Sequence, residues 1–135
     1  MRLSADELSR FGEGVGAQLT APVVIGLSGE MGAGKTTLVQ AMCRGLGARA
    51  LATSPTYALV HHYEAASTPV YHVDCYRLKH PDEARDLDFD DMIRENAIVL
   101  IEWPERAGPW APPLDRHFRL AHDSDAGVRI VEEAA

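Results

Sequence analysis

The chain has 135 residues, of which 46% are hydrophobic and 24% charged, and its formal net charge is −7. This length and composition predict a single globular domain, residues 1–135, that can bury its own core. The acidic balance argues against a protein that grips DNA or RNA through phosphate contacts of its own.

An amphipathic helix is predicted at the start of the chain, to about residue 19. Ser4 and Glu7 have the spacing of a capping box. Apolar residues then recur at helical spacing: Leu8, Phe11, Val15 and Leu19. Three glycines interrupt this pattern, and we attribute them to close packing against a neighbouring element: Gly12, Gly14 and Gly16.

A glycine-rich loop follows between a predicted strand, residues 23–28, and a predicted helix that ends near Gly45 and Gly47. The residues between them fit the phosphate-loop pattern G-x-x-x-x-G-K-[ST]. Backbone N–H groups of such a loop surround phosphate, together with the N-terminus of the following helix. Lys35 would reach the terminal phosphates, and the Thr36 hydroxyl is placed to hold Mg²⁺. The predicted nucleotide site comprises Gly29, Glu30, Met31, Gly32, Ala33, Gly34, Lys35, Thr36 and Thr37.

The middle of the chain predicts an antiparallel hairpin of residues 58–63 and 69–74, ending in Asp74. Its three histidines have a spacing that matches no common metal site: His61, His62 and His72. Two short helices are then expected, one beginning at Pro81 and one within the acidic run 86–93. We interpret the carboxylates of that run as a solvated face.

Residues 97–102 form a continuous apolar run ending in Glu102, which predicts a central strand buried on both faces. Three prolines, at 109, 112 and 113, predict irregular structure up to His117. Residues 117–120 and 127–131 then predict a terminal hairpin whose last strand lies at the edge of the sheet. The elements together predict an α/β, three-layer P-loop NTPase-like domain. Its central sheet would be mixed and largely parallel, with a β-hairpin and flanking helices.

Two carboxylates stand where a phosphate-loop enzyme needs them, at strand ends. Glu102 is the candidate acid beside Mg²⁺, although Asp is more usual there. Asp74 is the candidate for orienting or deprotonating the attacking nucleophile, and capping of the following turn is its structural alternative. Lys35 and Arg77 are the available cations, and Arg77 is equally plausible as a surface or partner contact.

The two cysteines, Cys43 and Cys75, predict reduced, buried thiols because they form no C-x-x-C pair. The N-terminus lacks an apolar signal core, and no stretch approaches the ~20 apolar residues of a membrane span. We therefore expect a cytoplasmic protein with no membrane partner.

Four motifs occur in an order and at spacings that resemble one known family. They are residues 29–38, Ser54-Pro55-Thr56-Tyr57, His72-Val73-Asp74-Cys75-Tyr76-Arg77-Leu78 and Ile101-Glu102-Trp103-Pro104-Glu105. With them the chain is similar, as far as about Arg106, to the TsaE (YjeE) family. That family comprises bacterial ATPases of tRNA threonylcarbamoyladenosine biosynthesis.

The resemblance implies that residues 29–37 bind the phosphates of ATP or ADP, and that Thr36 and Glu102 hold Mg²⁺. Asp74 would be needed for hydrolysis, and Trp103 would lie close to the nucleotide. Ser54, Pro55 and Thr56 would form a switch-like segment that senses the γ-phosphate. The implied partners are TsaD, which transfers the threonylcarbamoyl group to adenosine 37 of tRNA, and TsaB. Contact with tRNA would be indirect, and hydrolysis would be weak alone and stimulated in the complex.

Two departures from the family pattern concern the nucleotide site. Glu30 replaces the more common Asp and keeps its charge. Leu8 stands where many members have Thr near the adenine.

Three other functions compete with this interpretation. A small-molecule kinase would need a lid with several arginines and an acceptor pocket, for which residues 103–135 leave little room. A GTPase would need an Asn-Lys-x-Asp motif, which the sequence lacks, so ATP is favoured. A nucleotide-dependent adaptor, in which bound ATP orders a docking surface, overlaps with the family role and stays open.

Overall fold

A computed structural model describes residues 1–50, 60–65 and 68–134. Its strands are β1 (Arg2–Ser4), β2 (Val23–Gly29), β3 (Arg49–Ala50), β4 (Val60–Ala65), β5 (Thr68–Asp74), β6 (Ile98–Glu102), β7 (Arg116–His122) and β8 (Val128–Glu133). Its α-helices are α1 (Ala5–Gln18), α2 (Lys35–Leu46) and α3 (Phe89–Arg94). Shorter 3-10 helices span Cys75–Arg77, Pro81–Leu87 and Pro104–Trp110.

The described strands form one mixed sheet with the order β1-β8-β7-β2-β6-β5-β4-β3. The four central strands, from β7 to β5, run parallel to one another. The outer strands on both sides pair antiparallel. The predicted β4–β5 hairpin is confirmed, and so is the predicted α/β fold with its mixed sheet.

Helices cover both faces of this sheet, which makes three layers. One apolar core lies between the sheet and the α1–α2 pair, and includes Leu8, Leu38 and Leu100. The other lies between the sheet and α3, and includes Phe89 and Ile101. All five residues of β6 are buried, as the sequence predicted for a central parallel strand.

Helix α1 begins with the predicted capping box. The Ser4 hydroxyl accepts from the Glu7 N–H, and the Glu7 carboxylate accepts from the Ser4 N–H at 2.9 Å. Two of its glycines let it cross α2 closely, since a Cβ at Gly16 would lie 2.1 Å from the Met42 carbonyl oxygen. The prediction was wrong for Gly14, which is exposed and has nothing within 4 Å of an added Cβ.

Three further expectations need correction. Helix α2 ends at Leu46 and is capped by Gly47, whereas Gly45 lies inside it, where an added Cβ would meet the Glu13 carbonyl oxygen of α1 at 2.1 Å. Residues 104–110 are not irregular but form a 3-10 helix. It begins at Pro104, a position that favours proline, and has a kink at Gly108. Strand β8 is not the sheet edge, because β1 pairs outside it.

The acidic run has the predicted form. Asp88 caps α3, and the carboxylates of the run are exposed. Among the described residues, no helix is long and apolar enough to cross a membrane.

Candidate functional site

The site lies at the edge of the sheet where parallel strands β2, β6 and β5 end. In the registers of these strands, Glu102 pairs with Leu27 on one side and with Asp74 on the other. The glycine loop leaves β2 two residues beyond Leu27. The fold thus brings the predicted loop, the predicted metal acid and the predicted catalytic acid to one edge, where α/β proteins bind their ligands.

The loop turns sharply between β2 and α2. Gly29 has φ = 145°, and a Cβ there would lie 2.2 Å from the Leu120 carbonyl oxygen of β7, so only glycine fits. Gly34, in the left-handed conformation, precedes Lys35, the first residue of α2. The remaining loop residues are Glu30, Met31, Gly32 and Ala33, and Thr36 and Thr37 complete the first turn of α2. The loop therefore ends at a helix N-terminus, the arrangement that binds phosphate.

Lys35 is only 5% exposed and lies against the loop itself. Its Nζ atom donates to the carbonyl oxygens of Gly29 and Glu30, at 2.5 and 2.7 Å. The Trp103 ring centroid lies 4.4 Å from Nζ. Burial lowers the pKa of Lys35, while the charge of Glu102 and of other nearby carboxylates opposes that shift.

Glu102 is 3% exposed and receives hydrogen bonds from two side chains. The Thr36 hydroxyl donates to its two oxygens at 2.9 and 3.1 Å. The Nε2 atom of His72 lies 2.5 Å from Oε2. Burial raises the pKa of Glu102, but the hydrogen bonds and charge of its neighbours outweigh burial, so the net pKa is lowered.

The Thr36–Glu102 contact fits a Mg²⁺ site. Because the Thr36 O–H donates its hydrogen bond to the carboxylate, the lone pairs of the hydroxyl oxygen remain available for a cation. Thr36 is exposed, whereas the carboxylate behind it is buried. Hydroxyl and carboxylate oxygens are the ligand type that Mg²⁺ prefers.

His72 is a site residue that the sequence interpretation missed. It opens one of the four family motifs, but the only role weighed for its side chain was that of one of three histidines in a metal cluster. The described residues contain no group of three or more His, Cys, Asp or Glu side chains that could hold a metal ion. The signal was the strand alternation, which places His72 on the same face of β5 as Asp74.

Asp74 lies at the end of β5 and is partly buried. Its Oδ1 atom accepts from the Tyr76 N–H at 3.0 Å, so it also caps the following turn. Arg77 is exposed in that turn. The predicted switch segment, Ser54, Pro55, Thr56 and Tyr57, lies outside the described residues. The next described residue after that segment, Val60, pairs with Val73 beside Asp74.

Trp103 lies over Lys35, and Tyr76 and Arg106 pack around Trp103. Trp103 adopts a left-handed conformation with φ = 57°, which is rare for a bulky residue and common at functional sites. The Tyr76 ring lies 5.2 Å from the Trp103 ring. The Arg106 guanidinium lies 4.6 Å from the Tyr76 ring and 5.4 Å from the Trp103 ring. The sequence motifs had indicated Trp103 but not Arg106.

A second side-chain network was also missed. The Ser28 hydroxyl, just before the loop, donates to Glu105 at 2.7 Å and lies 2.7 Å from Nε2 of His117. Burial lowers the pKa of His117, and the charge of Arg119 adds to that effect. This network connects the segment after β6 to the end of β2 and the start of β7.

A cavity of about 200 Å³ lies beside the loop, between α1 and the β7–β8 turn. Leu8, Gly34, Thr37 and Arg129 are among the residues that line it. The cavity lies on the β7–β8 side of the loop strand, whereas Glu102 lies on its β6 side.

Comparison with known proteins decides the family. A sequence model of the family "Threonylcarbamoyl adenosine biosynthesis protein TsaE" matches residues 3–131. The chain belongs to the TsaE family. The family's description assigns it to threonylcarbamoyl adenosine biosynthesis, and its individual members are named as tRNA threonylcarbamoyladenosine biosynthesis proteins, so the family resemblance is confirmed.

Individual TsaE proteins match at moderate identity. The chain is 41% identical over 136 residues to one from Nostoc, covering 95% of this chain and 81% of that protein. It is 38% identical over 104 residues to one from Haemophilus influenzae, covering 77% of this chain but only 66% of that protein. The crystal structure of Bacillus subtilis YdiB has the same fold, with a TM-score of 0.78 at 24% identity, over 99% of this chain and 83% of that one.

Proposed function

We propose that this chain binds ATP with Mg²⁺ and hydrolyses it in support of tRNA N6-threonylcarbamoyladenosine formation, in a complex with TsaD and TsaB. The observation that carries the proposal is the Thr36–Glu102 contact at the start of α2, with Asp74 in register beside it. These groups stand next to Lys35, as phosphate-transfer sites require.

Residues 29–37 would bind the phosphates through the loop N–H groups and the α2 N-terminus. Thr36 and Glu102 would hold the cation. Bound Mg²⁺ would neutralise charge on the phosphate oxygens. Lys35, whose ammonium group now contacts the loop carbonyls, would turn to the terminal phosphates. The cavity lined by Leu8 supports a place for the rest of the nucleotide.

Asp74 would orient the water that attacks the γ-phosphate in line. Within the described residues its carboxylate is engaged through Oδ1 alone, which leaves Oδ2 for a water molecule. Trp103 would shield the reaction from bulk solvent, because it lies over Lys35.

The proposed partners meet the protein at the same edge. Arg77, Tyr76 and Arg106 are exposed there, and the family resemblance adds the switch-like segment 54–57 to them. Occupancy of the nucleotide site would be reported to TsaD and TsaB through these residues. Contact with tRNA would pass through the complex, and the protein would act in the cytoplasm without DNA or membrane partners.

The deciding experiment is ATP turnover with and without purified TsaB–TsaD. We expect weak hydrolysis by the chain alone and clear stimulation by the pair. An absence of stimulation would favour the kinase or adaptor function instead.

Lys35→Ala tests the binding part of the proposal. Hydrogen bonds to charged groups contribute about 1.5–3 kcal/mol, so ATP affinity should fall by about 10- to 100-fold. Isothermal titration with ATP measures it. Unchanged affinity would contradict the role of the loop.

A further inference from the structure

His72 lies against Glu102 in the site, although the sequence analysis assigned its side chain no role there. It is 6% exposed, in the middle layer of the molecule, on the strand that ends in Asp74. Its Nε2 atom lies 2.5 Å from Glu102 Oε2, the oxygen that also receives the longer of the two Thr36 contacts. A buried, ionised carboxylate accepts hydrogen bonds only. Nε2 of His72 therefore has to carry the proton of this contact.

This contact limits how Glu102 can turn. Rotation about the last side-chain bond of a glutamate costs little, and Thr36 alone contacts both oxygens almost equally, at 2.9 and 3.1 Å. A second donor fixes the plane of the carboxylate, because a half-turn only exchanges two identical oxygens and any smaller rotation would lengthen the contact with His72. With His72 on Oε2, the carboxylate has one orientation, and Oε1 is directed to the Thr36 hydroxyl.

We propose that His72 is a positioning residue for the Mg²⁺ site: it fixes the Glu102 carboxylate, which in turn keeps the Thr36 oxygen free for the cation. This inference rests on the proposed nucleotide function and names a residue on which that function depends. The side chains that orient the ligands of a metal often contribute as much as 10- to 100-fold to its affinity.

The ring of His72 is itself held in place by the neighbouring strand. His61 is its register partner on β4, and the two rings stack with centroids 5.5 Å apart and an interplanar angle of 27°. The Tyr63 ring, two residues further along β4, also stacks on His61, with a centroid distance of 6.5 Å. The hairpin therefore supports the orientation of His72 from the side opposite to Glu102.

The simplest competing explanation is a buried histidine that only fills space and satisfies its own polar atoms. The two explanations differ in which substitution restores function. Glutamine places an amide N–H near the position of Nε2, whereas leucine fills the space without a donor. If His72 positions Glu102, the substitute must supply an N–H donor, as glutamine does. If His72 only fills space, a side chain of similar volume, such as leucine, is sufficient.

The experiment measures the dissociation constant of Mg²⁺ from the protein–ADP complex, from ADP titrations at a series of Mg²⁺ concentrations. We expect His72→Leu to weaken Mg²⁺ binding by about 10- to 100-fold. His72→Gln should stay within about threefold of the wild type, and ADP affinity in EDTA should be unchanged in both variants. His62→Leu is the matched control. His62 is on the same strand as His61 but stacks on Tyr71 at 4.6 Å, on the opposite face of the sheet.

Wild-type Mg²⁺ affinity in His72→Leu would overturn the inference, and so would equal losses in the Gln and Leu variants. If His72→Leu does not fold, His72→Asn replaces it, since its shorter amide cannot reach Glu102. Equal Mg²⁺ affinity in the Asn and Gln variants would then overturn the inference. A wild-type protein that binds no ADP in any medium would instead reject the proposed function, and this role of His72 with it.

Discussion

Asp74 and Glu102 are register partners at the ends of adjacent parallel strands, yet their surroundings differ. Glu102 is 3% exposed and takes hydrogen bonds from Thr36 and His72. Asp74 is partly exposed, and the Tyr76 N–H donates to one of its oxygens.

This difference in burial and hydrogen bonding suits Glu102 to positioning other groups and Asp74 to contacting water. A buried carboxylate with both oxygens engaged holds other groups in place and has little freedom to handle water. A partly exposed carboxylate beside it can reach water. Two neighbouring acids with contrasting environments commonly divide roles in this way. The position at the strand ends brings both acids to the site, and their different burial and hydrogen bonding give them different roles.

The largest expected effect comes from Asp74→Asn. The side-chain oxygen of asparagine can still accept from the Tyr76 N–H, so the turn should be kept. Stimulated ATP hydrolysis should fall by roughly 10²-fold or more, the scale of losing a general base. ATP affinity should stay within a few-fold. Turnover with TsaB–TsaD and ATP titration measure the two quantities, and near-normal stimulated turnover would remove Asp74 from the mechanism.

Glu102→Gln should show the complementary pattern. The amide would present a donor where the wild type has an acceptor, so one of the contacts from Thr36 and His72 is lost. We expect Mg²⁺ to bind the ADP complex about 10- to 100-fold more weakly. Asp74→Asn should leave that constant within a few-fold. If both variants weakened Mg²⁺ equally, the two acids would not have separate roles.

The smallest effect is on stability, and it depends on pH. The pKa of Glu102 is lowered in the folded protein, so its ionised form stabilises the fold above the ordinary value of 4.5. That contribution is lost as the pH falls through the folded pKa. The difference in the free energy of unfolding between wild type and Glu102→Gln should therefore be constant from pH 7 to about 5, and it should shrink as the pH falls below 4.5 toward the lowered pKa. Urea unfolding across this range measures it, and a difference that stays constant below pH 4.5 would contradict the cause we assign.

Local patterns in the sequence predicted most of what positions the site. The glycine loop, the capping box at Ser4 and the buried strand ending in Glu102 each depend on neighbouring residues, so they can be recognised from the sequence. Their prediction required no knowledge of what lies across the sheet. The order and spacing of the four motifs added the resemblance to the family, which no single motif carried.

Apart from the 3-10 helix at residues 104–110, which begins at a proline and is a local feature, the main missed features depend on contacts between distant parts of the chain. Strand β7 lies beside the loop strand, although nothing local in residues 116–122 marks that place. The three-residue β1 is too short for a periodic signal, and it makes β8 an inner strand. His72 acquires its role from Glu102, 30 residues away along the chain. Such pairings follow from the topology, which a sequence pattern does not contain.

The register between β5 and β6 has a consequence for how this protein can change in length. Side chains alternate between the two faces of a strand, so His72 and Asp74 share the face of Glu102 only in this register. One residue inserted or deleted within β5 would turn both side chains toward α3, while the apolar residues beside them would face the proposed nucleotide site. Length variation near the site is therefore tolerable in the segments that join the strands, and it is excluded within β5 itself.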